Sequence, residues 1–380
     1  MRICNLLEEG SLGGPQRRSI AVARALADDT ESEIETVLVF SDSAEDLASA
    51  CREHAIPFEQ IPMDALSKKP THLIQYILTF VPQLLRLKKL LTKRCIDVVH
   101  VSGGSFCYKG PVAARLARTP YVWHLNNTNS RPIPRAVFWI VSRLAKPALL
   151  IYAGSSVEQS YKPWIPKGVP TSIVPAPHPR GLTCSQIAQF PDPYDDSPKR
   201  VTRVLLLANL NPIKGIDIAI RALAQTKQPM RLFVAGGIKS TQDEYARSLQ
   251  ALAGDLGVEV VFLGLLKGVI PHLLHADISL CSSRAEASPL SVWEAAAAGN
   301  AIVSTRVGDV PIFLPHEVGA LLVDVEDATA MAAALDKLAT DYNLRVELGA
   351  KARQAMETTT AIDVVAKKTA AVYQRAFDKR

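Results

Sequence analysis

Residues 283–299 read S-R-A-E-A-S-P-L-S-V-W-E-A-A-A-A-G, from Ser283 to Gly299, with Glu286 and Glu294 eight positions apart. Ser288 is a good N-cap and Pro289 suits a first helical position. The stretch therefore predicts a helix from Pro289 to Ala298 that stops at Gly299. Glu286 then lies in the loop ahead of the helix and Glu294 inside it, with their carboxylates on the order of 10 Å apart. Between them the first backbone N–H groups of the helix, near Leu290 and Ser291, form an anion site. Carboxylate, anion site and carboxylate in a row suit a ligand built as sugar, diphosphate and ribose.

Outward from this stretch, short apolar runs alternate with helical patterns, which predicts α/β units on parallel sheets. The first half predicts strands at Ile3–Leu7, Thr36–Phe40, Val98–Val101, Tyr121–Leu125, Leu149–Ala153 and Ser172–Val174. A proline- and aspartate-rich stretch, Pro175 to Lys199, then reads as a linker. Strands resume at Val204–Leu207, Leu232–Ala235, Val260–Leu263, Ile278–Cys281 and Ile302–Ser304. Two helices follow, at Asp341–Met356 and Ala361–Phe377. The economical architecture is two facing Rossmann-like domains, 1–178 and 201–360, joined by a linker at 179–200, with ligand in the cleft at the strand C-termini.

Composition narrows the function classes. A chain of 380 residues, 48% hydrophobic and 21% charged, is long enough for two cores and too apolar for global disorder. Six scattered cysteines without a C-x-x-C pair point to reduced thiols in the cytoplasm and away from a zinc site. Acidic residues arrive in M-R-I-C-N-L-L-E-E-G before any apolar core, so the start reads as a strand and not as a signal peptide. No apolar run reaches membrane-span length. Residues 1–180 hold 22 Lys and Arg against 15 Asp and Glu, whereas 181–380 hold 21 against 22. That positive field suits an anionic acceptor or the inner face of a membrane, or else is a solvated basic face. No nucleic-acid-binding motif accompanies it.

The Ser283–Gly299 stretch resembles the E-x7-E motif of retaining GT-B glycosyltransferases of the family-4 type, the glycosyl transferases group 1. The resemblance implies that Glu286 meets hydroxyls of a donor sugar and that Glu294 holds the ribose of its nucleotide. It also implies a final helix, 361–380, that joins the N-terminal domain. After Val204–Leu207 the chain reads A-N-L-N-P-I-K-G, where the family pattern is G-R-L-x-x-x-K-G. Lys214 and Gly215 match, and Lys214 is expected on the donor diphosphate. Asn209 stands where the arginine is expected, so Arg306 or Arg284 becomes a candidate for the missing charge. Gly13-Gly14, in E-E-G-S-L-G-G-P-Q, resembles the family's glycine-rich loop. Adjacent glycines permit positive φ and close approach to a phosphate, or simply a tight turn.

Tyr121–Leu125 ends in W-H-L-N-N-T-N, which puts His124 at a strand end, where ligands bind in open α/β sheets. Family members often place a histidine there beside the donor sugar; a hydrogen-bonded structural histidine is the other reading. Asn126 and Asn127 are candidates for acceptor hydroxyls. His272 and His275 lack a third ligand, and no D-x-D triad occurs, so no metal is expected. The basic amphipathic helix Leu84–Arg94 either lies on anionic lipid or packs its leucines on the sheet.

The reading is a retaining, metal-independent glycosyltransferase with no cofactor beyond a UDP- or GDP-sugar donor. Its acceptor would be a glycan or lipid-linked hydroxyl, with peripheral membrane contact through the basic first domain. A sugar-nucleotide epimerase on the same fold and a non-catalytic nucleotide-sugar-binding protein remain as alternatives.

Overall fold

The computed structural model describes residues 1–8, 12–29, 33–66, 70–128, 132–178, 190–194, 201–237 and 243–379. Contacts divide the chain into two compact units. Unit 1 is Met1–Pro177 with Ile362–Arg380, and unit 2 is His178–Ala361. Most of the expected linker, 179–200, lies outside the described residues, and so does Cys184.

Unit 1 carries β1 (Arg2–Leu7), α1 (Gly14–Asp28), β2 (Glu35–Ser41), α2 (Glu45–Glu53), β3 (Phe58–Ile61), α3 (Pro70–Lys93) and β4 (Val98–Ser102). It continues with α4 (Lys109–Ala117), β5 (Tyr121–Leu125), α5 (Pro132–Leu144), β6 (Leu149–Tyr152), α6 (Ser155–Tyr161) and β7 (Thr171–Ile173). Its sheet runs β3-β2-β1-β4-β5-β6-β7, every pairing parallel. The central strands are buried on both faces, which is why they read as apolar runs and not as alternating patterns.

Unit 2 carries β8 (Thr202–Leu207), α7 (Ile216–Leu223), β9 (Met230–Ala235), α8 (Asp243–Asp255), β10 (Val260–Gly264), α9 (Ile270–His275) and β11 (Ile278–Cys281). Then come α10 (Leu290–Ala298), β12 (Ala301–Thr305), α11 (Val310–Phe313), β13 (Leu321–Val323), α12 (Ala328–Thr340) and α13 (Tyr342–Thr359). The parallel sheet is ordered β10-β9-β8-β11-β12-β13. The last helix, α14 (Ile362–Phe377), belongs to unit 1, where Val365, Val372 and Tyr373 share a core with Val22 and Leu26 of α1 and with Ile3, Val98 and Val122 of the sheet.

In each sheet the strand order reverses beside the first strand of the unit, between β1 and β4 and between β8 and β11. At such a reversal successive loops splay to opposite faces, leaving a crevice at the strand C-termini where α/β proteins bind ligands.

The basic segment Leu84–Arg94 is the last part of α3 and the residue after it. Leu84, Leu87, Leu90 and Leu91 are buried, while Arg86, Lys88, Lys89 and Lys93 are exposed, so that segment packs on its unit. The exposed apolar stripe lies mostly earlier on the helix, on Leu73, Ile74, Ile77, Leu78 and Val81, and ends at Leu85. No helix among the described residues is long and apolar enough to cross a membrane.

Candidate active site

In unit 2 the turn after β8 sets one wall. Asn211 accepts a hydrogen bond from the Ile213 amide at 3.0 Å and opens a single 3₁₀ turn, Pro212–Lys214. Gly215 ends that turn at φ +62° and lies against the chain leaving β11, so a Cβ there would fall 2.0 Å from the Ser282 carbonyl oxygen. Both the left-handed backbone and the close approach require glycine. Ser282 Oγ donates to the Lys214 carbonyl at 3.0 Å, and the Arg284 amide donates to the Ile213 carbonyl at 2.7 Å. The two loops at the β8–β11 reversal are thus stitched together by hydrogen bonds to main-chain carbonyls.

This stitching brings Lys214 to Glu286. Lys214 Nζ donates to Glu286 Oε1 at 2.6 Å, and Ser283 Oγ donates to the same oxygen at 2.9 Å. The lysine side chain is 31% exposed and the glutamate 15%, a half-buried pair at the edge of the sheet. Ser283 is held in turn by Thr305 at the end of β12, whose Oγ1 donates to the Ser283 carbonyl at 2.7 Å. On the other flank Gly308, at φ +52°, lets the loop after β12 close on the motif; a Cβ there would sit 2.4 Å from the Ala287 carbonyl oxygen.

The helix after the motif begins at Leu290, one residue later than the expected Pro289, and its N-cap is Pro289 without a side-chain cap. Ser288 is therefore not the cap. Its Oγ accepts from Trp293 Nε1 at 2.9 Å, because the fully buried indole needs an acceptor and the hydroxyl is the one within reach. The Val292 and Trp293 amides both donate to the Pro289 carbonyl, whereas those of Leu290 and Ser291 have no hydrogen-bond partner among the described residues. Glu294 lies one turn inside α10, half-buried and the only polar residue beyond Ser291 in a helix whose other faces bury Val292, Trp293 and three alanines. Gly299 closes the helix in the left-handed conformation, as the sequence predicted.

The candidate replacements for the missing arginine are both engaged. Arg284 makes a fork to Asp217 at 2.9 and 2.7 Å, reaches Glu326 through Nε at 2.5 Å, and donates to the Pro212 carbonyl. Burial alone would raise Asp217, but the Arg284 hydrogen bonds outweigh it and hold the carboxyl below its ordinary range. Arg284 is raised by the same hydrogen bonds. It is a clasp between the β8 and β11 loops. Arg306 faces Asp324 at 3.4 Å in an exposed pair. Asn209 is exposed and its Oδ1 accepts from the Gly237 amide at 3.1 Å, tying the loop after β8 to the loop after β9.

In unit 1, Gly13 is the N-cap of α1 and Gly14 its first residue, and neither takes a positive φ. The Gly13 amide donates to Gln16 Oε1 at 3.2 Å, so the pair starts a helix and does not form a left-handed turn. Residues 9–11 of the same loop lie outside the described residues. His124 is fully buried at the end of β5. Its Nδ1 lies 3.2 Å from His100 Nε2, the rings stack at 5.3 Å, and His100 Nδ1 lies 2.7 Å from Tyr373 Oη. Burial, with Arg18 nearby, pushes His100 down to about 3 and His124 well below its ordinary value, so both rings are neutral. Asn126 is half-buried, and among the described residues neither its two amide atoms nor Asn127 Oδ1, beside Gly104, has a hydrogen-bond partner.

Among the described residues no three His, Cys, Asp or Glu side chains converge as a metal-ligand group. His275 Nε2 lies 3.1 Å from the Phe190 carbonyl, a structural contact. The sequence reading missed Ser283, Thr305 and Asp217. Of these only Ser283 carried a signal, as the S-x-x-E that opens the motif.

Residues 195–355 match the family model described as glycosyl transferases group 1. The D-inositol 3-phosphate glycosyltransferase of Acidothermus cellulolyticus is 32% identical over 156 residues, 38% of this chain and 35% of that protein. A putative glycosyltransferase of Bacillus subtilis is 29% identical over 181 residues, 45% of this chain and 44% of its own length. The aligned stretch thus spans well under two thirds of these curated relatives. Among solved structures, HepE of Anabaena in complex with UDP superposes with a TM-score of 0.84 at 17% identity, covering 98% of this chain and 100% of that one. Sucrose-phosphate synthase of Thermosynechococcus elongatus superposes at 0.76 and 17% identity over the whole of both chains. These superpositions fix the fold as GT-B.

Proposed function

We propose, for a GT-B chain whose residues 195–355 belong to the glycosyl transferases group 1, that it moves a sugar from a nucleotide-diphosphate donor to a hydroxyl of a glycan or lipid-linked acceptor. The observation that carries this reading is the Glu286 carboxylate held between Lys214 and Ser283 immediately ahead of α10, with the Leu290 and Ser291 amides next in line. Glu286 fixes the donor sugar through its hydroxyls, and Glu294 holds the ribose. Lys214 and the two amides stabilise the diphosphate as the bond from the sugar C1 to its oxygen breaks. The acceptor oxygen bonds to C1 on the same face, retaining configuration, and its proton passes to the departing phosphate. Lysine and helix amides supply the charge that a divalent metal supplies elsewhere, so turnover is expected to survive chelators.

In this reading Asn209 gives the diphosphate less help than an arginine would, and its bond to Gly237 serves the loop instead. Asn209→Arg is expected to raise turnover severalfold if the site is an attenuated enzyme. UDP is the favoured donor nucleotide, since HepE of Anabaena was crystallised with UDP and with UDP-glucose.

On the acceptor side, the exposed stripe Ile74–Ile77–Leu78–Val81–Leu85 with Arg86, Lys89 and Lys93 following on the same helix suits an anionic lipid surface, apolar residues entering and cations meeting headgroups. Such contact would place the protein on the inner face of the membrane. Ile77→Asp with Leu78→Asp should abolish co-sedimentation with phosphatidylglycerol vesicles; retention on them would remove this part of the reading.

The decisive test is a thermal-shift series of UDP-, GDP- and ADP-sugars on the wild type and Glu294→Ala. Stabilisation by one nucleotide class, lost in the variant, is the expected result. No shift with any nucleotide sugar would sink the transferase reading.

A further inference from the structure

The face of the unit 1 sheet that α1 and α14 cover changes character along its length. At the N-terminal end it is apolar, with Ile3, Val98, Val122 and Leu149 against Val22, Leu26, Val365 and Val372. At the C-terminal end it turns polar. Asn5 of β1 is in register with His100 of β4, and Ser102 of β4 with His124 of β5. Side chains in register on parallel strands share a face, and residues two apart on one strand do too, so all four lie on this side of the sheet.

Arg18 completes the cluster from above. It stands four residues before Val22 and eight before Leu26, on the stripe of α1 that faces the sheet. The chain turns back after β1, so the first turns of α1 lie over the strand C-termini and Arg18 over the polar rows. The residue is 5% exposed, yet none of Nε, Nη1 and Nη2 has a hydrogen-bond partner among the described residues. On the same face Ser102 Oγ and its register neighbour His124 Nε2 are also buried, and neither has a hydrogen-bond partner among the described residues. A guanidinium carries five N–H donors and keeps its charge at neutral pH even where burial, as here, pushes it down to about 10. A buried cation without an anion is strongly unfavourable, and buried polar groups in folded proteins are almost always satisfied.

The polarity of the histidine pair follows its tautomer, and one of the two arrangements adds a donor. With Tyr373 Oη donating to His100 Nδ1, His100 Nε2–H donates to His124 Nδ1, and His124 keeps its proton on Nε2. The free end of the relay is then an N–H, matched to an acceptor.

We propose that Arg18 is the centre of an oxyanion site on the α1–α14 face, and that it receives a carboxylate or phosphate carried by the sugar substrate. The assignment of the ligand as a sugar rests on the transferase reading above; the oxyanion chemistry rests on Arg18, Ser102 and His124. Arg18 is thereby a specificity residue. It selects acidic over neutral sugars, because only an acidic sugar relieves the unpaired guanidinium.

The test uses the full chain and four probes: glucose, D-glucuronate, glucose 6-phosphate and inorganic phosphate. The expected result is a rise in the unfolding midpoint of at least about 2 °C with an acidic sugar at saturating concentration and none with glucose. A response to glucuronate alone identifies a carboxylate; a response to glucose 6-phosphate alone, or with inorganic phosphate, identifies a phosphate. Arg18→Met is expected to abolish the response while raising the midpoint of the ligand-free protein, and Arg18→Lys to keep part of the response. If the Met variant does not fold, the Lys variant decides: a response equal to that of the wild type would overturn the proposal. Equal shifts with glucose and the acidic sugars, or no shift with any acidic probe, would also overturn it. Glu294→Ala, in the other unit, should leave the acidic-sugar response intact. A protein that answers acidic sugars but no nucleotide sugar would refute the transferase reading and spare the site.

Discussion

The C-terminal edges of the two sheets solve opposite problems. In unit 2 the charges at the edge are paired within the protein: Lys214 with Glu286, Arg284 with Asp217 and Glu326. In unit 1 the polar groups are buried deeper, the histidines neutral and Arg18 without an acceptor among the described residues. A half-exposed, internally compensated edge needs no ligand to keep its charges paired. A buried and uncompensated edge holds unfavourable energy until an anion arrives. Two edges of the same topology can thus differ in when they gain their stability.

The largest effect that would break this comparison is kinetic. Lys214→Ala should lower kcat by about 10²–10³ with little change in stability, since the lysine is partly solvated and, in the proposed reading, acts on developing charge. If nucleotide-sugar turnover survives unchanged, the unit 2 edge is a structural clasp and not a catalytic one.

Acidification should separate the units next. His100 and His124 have folded values below the unfolded one of about 6.5, so in that window the unfolded chain binds protons that the folded chain refuses. Stability therefore falls as pH drops below about 6.5, and for His100 continues to fall until about pH 3. Unit 2 has a partly buried histidine lowered in the same sense, His272. Its depressed Asp217 contributes stability that is fully present above the unfolded value of about 3.9 and is lost only as pH falls through the folded one. At pH 5, hydrogen exchange corrected for intrinsic rate should rise more in β4 and β5 than in β8 and β11. The reverse order would break the contrast.

Smaller effects sharpen it. Arg284→Ala should cost about 1–3 kcal/mol in urea unfolding, less than a fully buried pair because the arginine is 30% exposed and water screens what remains. Ser288→Ala should cost about 1 kcal/mol, the loss of one acceptor for the buried Trp293 indole. A near-zero result there would mean that the indole finds another partner.

What the sequence disclosed and what it hid follow the same division. The central strands were legible because burial on both faces forces runs such as Ile3–Leu7 and Val204–Leu207. The two strands it hid, β3 and β13, are outermost in their sheets. Phe58–Ile61 is only half-buried and includes Glu59 and Gln60, and Leu321–Val323 is three residues long, too short to carry a pattern. Ser288 followed local capping chemistry until a tertiary demand, the Trp293 indole, claimed its oxygen. The Glu286–Lys214 pair joins residues far apart in the chain, and only the positive-φ glycine at 215 hinted at the close packing that makes it. Arg18 sits in R-R after two glycines and reads as solvated; the signal lay in its helical spacing to Val22 and Leu26.

The placement of α14 has a consequence for how the protein is made. Tyr373, which holds the His100–His124 relay, and Val365 and Val372, which complete the core beneath it, are synthesised only after all of unit 2. At about 5–20 residues per second, the ribosome needs on the order of 10–40 s to travel from the end of β7 to α14. Through that interval the nascent first half carries an uncovered apolar groove and a relay without its tyrosine. It is then that the chain has most need of a chaperone, and a stop codon near residue 362 would damage the half of the protein made first.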